Sequence, residues 1–196
     1  MKKLIKQLLG ESAIYGLSSI ITKFIGIFLV PLYTSVFTPE DYGIINIVNS
    51  FFFFVSMLVV FAMDNSAARW YYDTEDDEDR KKTIASWFWF QLLATILIVG
   101  GIIACSEWFS MYFINSNDQQ LFIIPAFSIA TSILPTIMSN WLRMRRKAVH
   151  TVVISIAYSL ITIGFTVYFV LYKNTGVIGV FYATLIANIL VSVYSL

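Results

Sequence analysis

The sequence predicts an all-α integral membrane protein, a bundle of six transmembrane helices, on three observations. The first is composition: of 196 residues, 58% are hydrophobic and 13% charged, against roughly 25% charged in a soluble domain. One water-surrounded core could not bury so much apolar side chain, and the remainder would aggregate. The second is run length. A helix needs about 20 residues to cross about 30 Å of hydrocarbon. Six segments qualify, approximately Ser12–Tyr33, Ile44–Met63, Ile84–Ser106, Leu121–Leu142, Val149–Tyr172 and Val177–Leu196. They are too long for strands and lack alternation. The third is where the charges fall. Eleven of the thirteen Lys and Arg residues form three clusters flanking alternate gaps between spans: Lys2, Lys3, Lys6; Arg69, Arg80, Lys81, Lys82; and Arg143, Arg145, Arg146, Lys147. The gaps Thr34–Gly43 and Glu107–Gln120 carry none. Basic residues are retained on the cytoplasmic face, which predicts an N-terminus inside.

In chain order, Lys2–Leu9 sets lysines against Leu4, Ile5, Leu8 and Leu9, predicting a short helix on the inner membrane surface. Glu11 and Lys23 interrupt the apolar stretch that follows, and no small-residue cleavage site ends it, so it reads as a retained first span. That span carries Ser12, Tyr15, Ser19, Lys23 and Gly26 in three- and four-residue steps and ends near Pro31. The second adds Asn46, Asn49 and Ser56. The third opens with Trp87, Phe88, Trp89 and Phe90, an interfacial aromatic belt, and its apolar middle reads as lipid-facing. The fourth holds Ser128, Ser132, Pro135, Ser139 and Arg143, with Pro125 a second kink site. The fifth holds Thr151, Ser155, Ser159, Thr162 and Thr166, and the sixth Thr184, Asn188, Ser192 and Ser195.

Each stripe puts polar groups on one helix face. Two explanations stand: close helix packing through small hydroxylated residues, or a shared polar interior, which better explains asparagines and a lysine. Lys23, near mid-span, is costly in hydrocarbon (about 2.5–3.5 kcal/mol on insertion scales). It either snorkels outward or faces a hydrated cavity, where it would attract phosphate or carboxylate. Asp64 and Arg69, at the inner end of the second span, either end the helix at the interface or form a cavity mouth. Candidate substrate-binding residues are therefore Lys23, Arg69, Asp64, Asn46 and Asn49.

Other charged features have simpler readings. Asp76–Arg80, Asp77–Lys81 and Glu78–Lys82 are acid-before-base pairs at helical spacing, with acids where a helix N-terminus favours them; a solvated loop entering the third span accounts for them better than a metal site. Arg143–Lys147 is explained by topology and could also bind anionic lipid head groups. His150, the single histidine, reads as interfacial. Cys105, the single cysteine, excludes an internal disulfide or cysteine-cluster metal site and reads as a small filler within a span. Net charge is +1, which gives no reason to expect a nucleic-acid partner. No nucleophile–base pair, phosphate loop or metal-ligand spacing is present, so neither enzyme activity nor a cofactor is expected.

The run Gly16-Leu17-Ser18-Ser19 through Lys23-Phe24-Ile25-Gly26-Ile27-Phe28-Leu29-Val30-Pro31-Leu32-Tyr33, followed by Thr38-Pro39-Glu40-Asp41-Tyr42-Gly43, resembles the opening of bacterial polysaccharide biosynthesis proteins. These are the O-antigen and capsule flippases of the multidrug/oligosaccharidyl-lipid/polysaccharide exporter superfamily. Met63–Tyr72 and Arg143–Ala148 resemble the same family. The resemblance implies two six-helix lobes around a central cavity in the bacterial inner membrane. It also implies translocation of an undecaprenyl-diphosphate-linked oligosaccharide from the cytoplasmic to the outer leaflet by alternating access. In that picture Lys23 lines the cavity and Arg69 receives the diphosphate on the cytoplasmic side. The residues 1–196 then form the N-terminal lobe, and the partners are the lipid-linked substrate, membrane lipids, and a C-terminal lobe or second copy. A cation-coupled multidrug exporter of the same superfamily and a membrane-embedded envelope-polysaccharide enzyme are the alternatives. The first would need a buried carboxylate, and the second would have to use Asp76–Asp79.

Overall fold

A computed structural model describes residues 16–17, 19–27 and 29–195, apart from the side chains of Leu32 and Ser195. The amphipathic segment expected over Lys2–Leu9, and Ser12 and Tyr15 of the first stripe, lie outside the described residues. Six helices are long and apolar enough to cross a membrane, and the described residues contain no strand. The first span is Ser19–Val36, whose last part is α1 (Leu29–Val36). α2 (Pro39–Val60) and α3 (Met63–Asp73) form the second. α4 (Asp77–Ala104) is the third, and a short α5 (Ser106–Ile114) follows it. α6 (Gln120–Met144) is the fourth. α7 (Ala148–Val167) with a π-helical turn, Tyr168–Tyr172, is the fifth. α8 (Val177–Ser195) is the sixth.

The helix boundaries follow local chemistry. Pro39 needs no N–H partner in the first turn of α2, and Thr38 and Asp41 close a reciprocal capping box: the Asp41 amide donates to Thr38 Oγ1 (3.2 Å) and the Thr38 amide to Asp41 Oδ2 (3.0 Å). The Thr38–Gly43 motif thus starts a span. α4 begins at Asp77 because Asp76 caps it, accepting from the Glu78 amide at 3.1 Å. The ion pairs consequently differ from the expected four-residue set. They are Arg80–Asp77 at 3.5 Å and Lys82–Asp79 at 3.2 Å, three residues apart, and Asp76 is not paired with Arg80 because it caps the helix.

α6 is the axis of the bundle. It packs most extensively on α8 and then on α4, and it also touches α7, α2, α3 and α5. One apolar cluster joins Val48, Phe52, Val55 and Val59 of α2 to Val99 and Ile102 of α4, Leu121 and Phe122 of α6, and Phe181 of α8. A second joins Ala67 and Tyr71 of α3 to Trp87 of α4 and Ile133, Ile137 and Met144 of α6. The third span is therefore two-faced. Trp87, Gln91, Thr95, Val99 and Ile102 make a buried stripe, while Trp89, Leu93, Ile96 and Leu97 are exposed. The expected lipid-facing character holds for the second face only. Phe53, Phe54, Met57 and Leu58 of α2 are likewise exposed, a surface suited to lipid rather than water.

The Tyr72 hydroxyl donates to the Met144 carbonyl at 3.0 Å. That bond brings the turn after α3 beside the turn after α6, so the second and third basic clusters share one end of the bundle. Cys105 is exposed at the α4–α5 junction, where the chain leaves the helix. It is not a filler inside a span. His150 is exposed in the first turn of α7.

Candidate functional site: a polar cavity between the helices

The polar stripes of α6, α7 and α8 converge. Ser132, Pro135, Thr136, Ser139, Asn140 and Arg143 of α6 face Ile154, Ser155, Tyr158 and Ser159 of α7 and Asn188 and Val191 of α8. Thr22 of the first span and Asp64 of α3 complete the wall of a cavity of about 730 Å³. Thr151 and Thr166, at the two ends of the α7 stripe, are instead buried in helix packing. Both readings of the stripes therefore apply, at different depths.

Pro135 explains why the α6–α8 contact is polar. A proline has no N–H, so the carbonyl four residues earlier, on Thr131, loses its helical donor. Ser192 of α8 supplies one, its hydroxyl donating to the Thr131 carbonyl at 2.6 Å. One turn away, Asn188 Nδ2 donates to the Ser128 carbonyl at 2.9 Å. In a bilayer a freed carbonyl must find a protein or water partner, and the sixth span carries that partner at the matching position.

The hydroxyls of α7 are committed in one direction. Ser155 donates to the Thr151 carbonyl (2.9 Å), Ser159 to Ser155 (3.0 Å) and Thr162 to Tyr158 (2.8 Å), each one turn back along its own helix. Ser132 donates to the Ile129 carbonyl at 2.8 Å. With the proton spent on backbone, the oxygen offers lone pairs to anything beside it. Ser132, Ser155 and Ser159 thus present acceptors to the cavity, as does the Asp64 carboxylate. Arg143 and Asn140, near the basic end of α6, bring donors.

A helix break positions Asp64. Phe61 and Ala62 both adopt left-handed backbone, φ 47° and 54°, and separate α2 from α3. Two such non-glycine residues cost of order 1–3 kcal/mol each. Asp64 then falls in the first turn of α3, where the helix dipole favours a carboxylate, and it is half-buried. Nothing in the residue types at 60–62 announces this break; the span expected to end at Met63 instead continues beyond it to Asp73.

The other sequence candidates sit elsewhere. Lys23 is exposed, next to Thr22 but not itself on the cavity wall. Arg69 is exposed on α3, 3.8 Å from Asp73. Asn46 and Asn49 are exposed on α2, with Asn46 lining a separate shallow hollow beside Phe51, Phe54 and Phe113. Of the five, only Asp64 lines the cavity. Arg143 was legible as a member of a polar stripe. Asn140 and Tyr158 were not singled out, although each is one residue or one turn from a stripe position. Among the described residues no group of His, Cys, Asp and Glu is arranged to hold a metal ion. Asp76, Asp77 and Asp79 are occupied as the α4 cap and in ion pairs with Arg80 and Lys82.

Comparison with models of known families matches residues 8–196 to the family described as polysaccharide biosynthesis protein. No curated protein and no solved structure matches the chain.

Proposed function

Because the chain belongs to the polysaccharide biosynthesis protein family, we propose that it is a lobe of a flippase. Its cargo would be an undecaprenyl-diphosphate-linked oligosaccharide, carried from the cytoplasmic to the outer leaflet of the inner membrane during O-antigen or capsule synthesis. The observation that carries this reading is the polar cavity of about 730 Å³ among spans that are otherwise apolar. With the N-terminus inside, as the basic clusters imply, Arg143 lies at the cytoplasmic end of the cavity and receives the diphosphate. The hydroxyl acceptors and Asp64 accept from sugar hydroxyls deeper in. A second lobe, from the same protein or a second copy, supplies the facing wall. Arg69 and Lys23 act at the approach: Arg69 draws the anionic head group to the cytoplasmic face, and Lys23 adds positive charge beside Thr22. Asn46 and Asn49 contact the substrate only as it leaves at the opposite end.

The test is translocation of the lipid-linked oligosaccharide by the full-length protein in liposomes. Arg143→Gln removes a charge-assisted contact worth about 1.5–3 kcal/mol, so the rate should fall roughly tenfold to a hundredfold. Lys23→Ala should also reduce transport strongly, with Lys23→Arg retaining part of it. Wild-type rates in both Arg143→Gln and Lys23→Ala would defeat the assignment. Asp64, a half-buried carboxylate on the cavity wall, favours a second reading, a cation-coupled drug exporter. That reading requires gradient-driven efflux of a lipophilic cation which Asp64→Asn abolishes.

A further inference from the structure

Behind the cavity, on the opposite face of α6, lies a second concavity of about 610 Å³ between α4 and α6. We infer that it is a binding site for one resident anionic glycerophospholipid of the leaflet at the basic end. Arg80, Lys81 and Arg145 gather at its mouth, and Ile84, Phe88, Leu134 and Met138 line its length. A volume of several hundred Å³ is usual for a small-molecule site (about 300–1,000 Å³).

Polar mouth and apolar body are in lipid order. From Arg145 to Leu134 along α6 is about 16 Å at 1.5 Å per residue, close to half of the roughly 30 Å hydrocarbon core. An acyl chain laid from the interface towards the midplane therefore follows the groove to its end. The basic groups are held for a phosphodiester. Arg80 is fixed by its Nε, which donates to the carbonyls of Tyr71 (3.3 Å) and Thr74 (3.1 Å), and its charge is partly offset by Asp77 at 3.5 Å. Its guanidinium lies 4.9 Å from the centre of the Tyr71 ring. Arg145 is laid over the Trp141 ring at 4.2 Å, which orders a side chain otherwise free in water. Among the described residues neither Lys81 nor Arg145 is in an ion pair, so the mouth keeps a net positive charge. That charge selects an anionic head group over a zwitterionic one.

The occupant is not the transported lipid. Ser132, Thr136, Ser139 and Arg143 face the cavity, whereas Leu134, Met138, Trp141 and Arg145 face the groove, and the body of α6 stands between them. A lipid in the groove would brace α6 against α4.

The test is native mass spectrometry of the delipidated full-length protein, titrated with phosphatidylglycerol or with phosphatidylcholine of the same acyl chains. One tightly held phosphatidylglycerol per chain is expected, with phosphatidylcholine at least tenfold weaker. Each basic residue near an anionic surface contributes roughly a factor of five in affinity, so Lys81→Gln with Arg145→Gln should weaken phosphatidylglycerol about thirtyfold. Arg146→Gln with Lys147→Gln, in the same turn but off the groove, should change it less than the groove pair by at least fivefold. Ala85→Trp, which fills the groove and keeps every charge, should also remove the tight lipid. Equal affinity for the two lipids, equal loss in the two double variants, or undiminished binding by Ala85→Trp would each overturn the site.

Discussion

The bond from Ser192 to Thr131 gives a quantitative test of how this bundle holds together. Ser192→Ala removes the hydroxyl that donates to the Thr131 carbonyl, which Pro135 has already deprived of its helical donor. Leaving a fully buried acceptor unmade costs about 1–3 kcal/mol, and this one is part-buried. Interhelical bonds in a bilayer average about 0.6 kcal/mol with a maximum near 1.7, because the separated helices find other partners. The short 2.6 Å contact, and the absence of an N–H on Pro135 to take over, place Ser192→Ala near the top of that range, about 1.5 kcal/mol. The cause can be isolated by a double-mutant cycle. In Pro135→Ala the restored amide can donate to the Thr131 carbonyl, so Ser192→Ala should cost about 0.5 kcal/mol in that background. The coupling is then about 1 kcal/mol, outside the roughly 0.3–0.5 kcal/mol scatter of independent sites. Reversible unfolding of the full-length protein in bicelles, by detergent titration or steric trapping, measures all four corners. A coupling indistinguishable from zero would show that Ser192 does not answer for the missing proline donor.

Two further perturbations follow from backbone geometry. Gly179→Ala places a Cβ against Thr175 Oγ1 and 3.0 Å from Phe169 Cβ, so it should cost about 1–3 kcal/mol; Thr175→Ala in the same chain should recover part, as the same unfolding assay would show. Ala62→Gly relieves a left-handed residue at φ 54° and should raise stability by about 1 kcal/mol, whereas Ala94→Gly, in the interior of α4, should lower it by about as much.

The six spans were legible because about twenty apolar residues in a row have few other uses, and each of the six helices long and apolar enough to cross a membrane overlaps its expected span, whereas the short α5 falls in a stretch read as a gap. The stripes of the fourth, fifth and sixth spans were legible for a similar reason: a three-to-four-residue period survives folding. Ser132, Ser139 and Arg143 therefore meet Ser155, Ser159 and Asn188 on one wall. Tertiary choices without a local signal were not legible. The break at Phe61–Ala62 uses neither glycine nor proline, so only packing on both sides reveals it. Trp87 reads as a belt residue by type, yet it is among the most buried side chains, since Ala67 and Ile137 leave room for it. Lys23 and Asn46 show the converse, because residue type suggests a polar interior and position on the helix decides otherwise.

The direction of the hydroxyls bears on what the cavity can hold. A serine whose proton is free can donate to phosphate as readily as accept from sugar. Ser132, Ser155 and Ser159 have spent theirs on backbone carbonyls, so towards a ligand they accept. Along α6, Ser132 lies about 16 Å from Arg143 at 1.5 Å per residue, so that acceptor and the guanidinium are separated by depth. A ligand with an anionic group at one end and many hydroxyls at the other satisfies both zones at once. A compact lipophilic cation satisfies only the deeper, acceptor-rich zone near Asp64 and leaves Arg143 opposed to its charge. That asymmetry favours a diphosphate-linked sugar over a drug cation, and it makes the sign of the Arg143→Gln effect decisive: loss of rate for the first substrate, gain for the second.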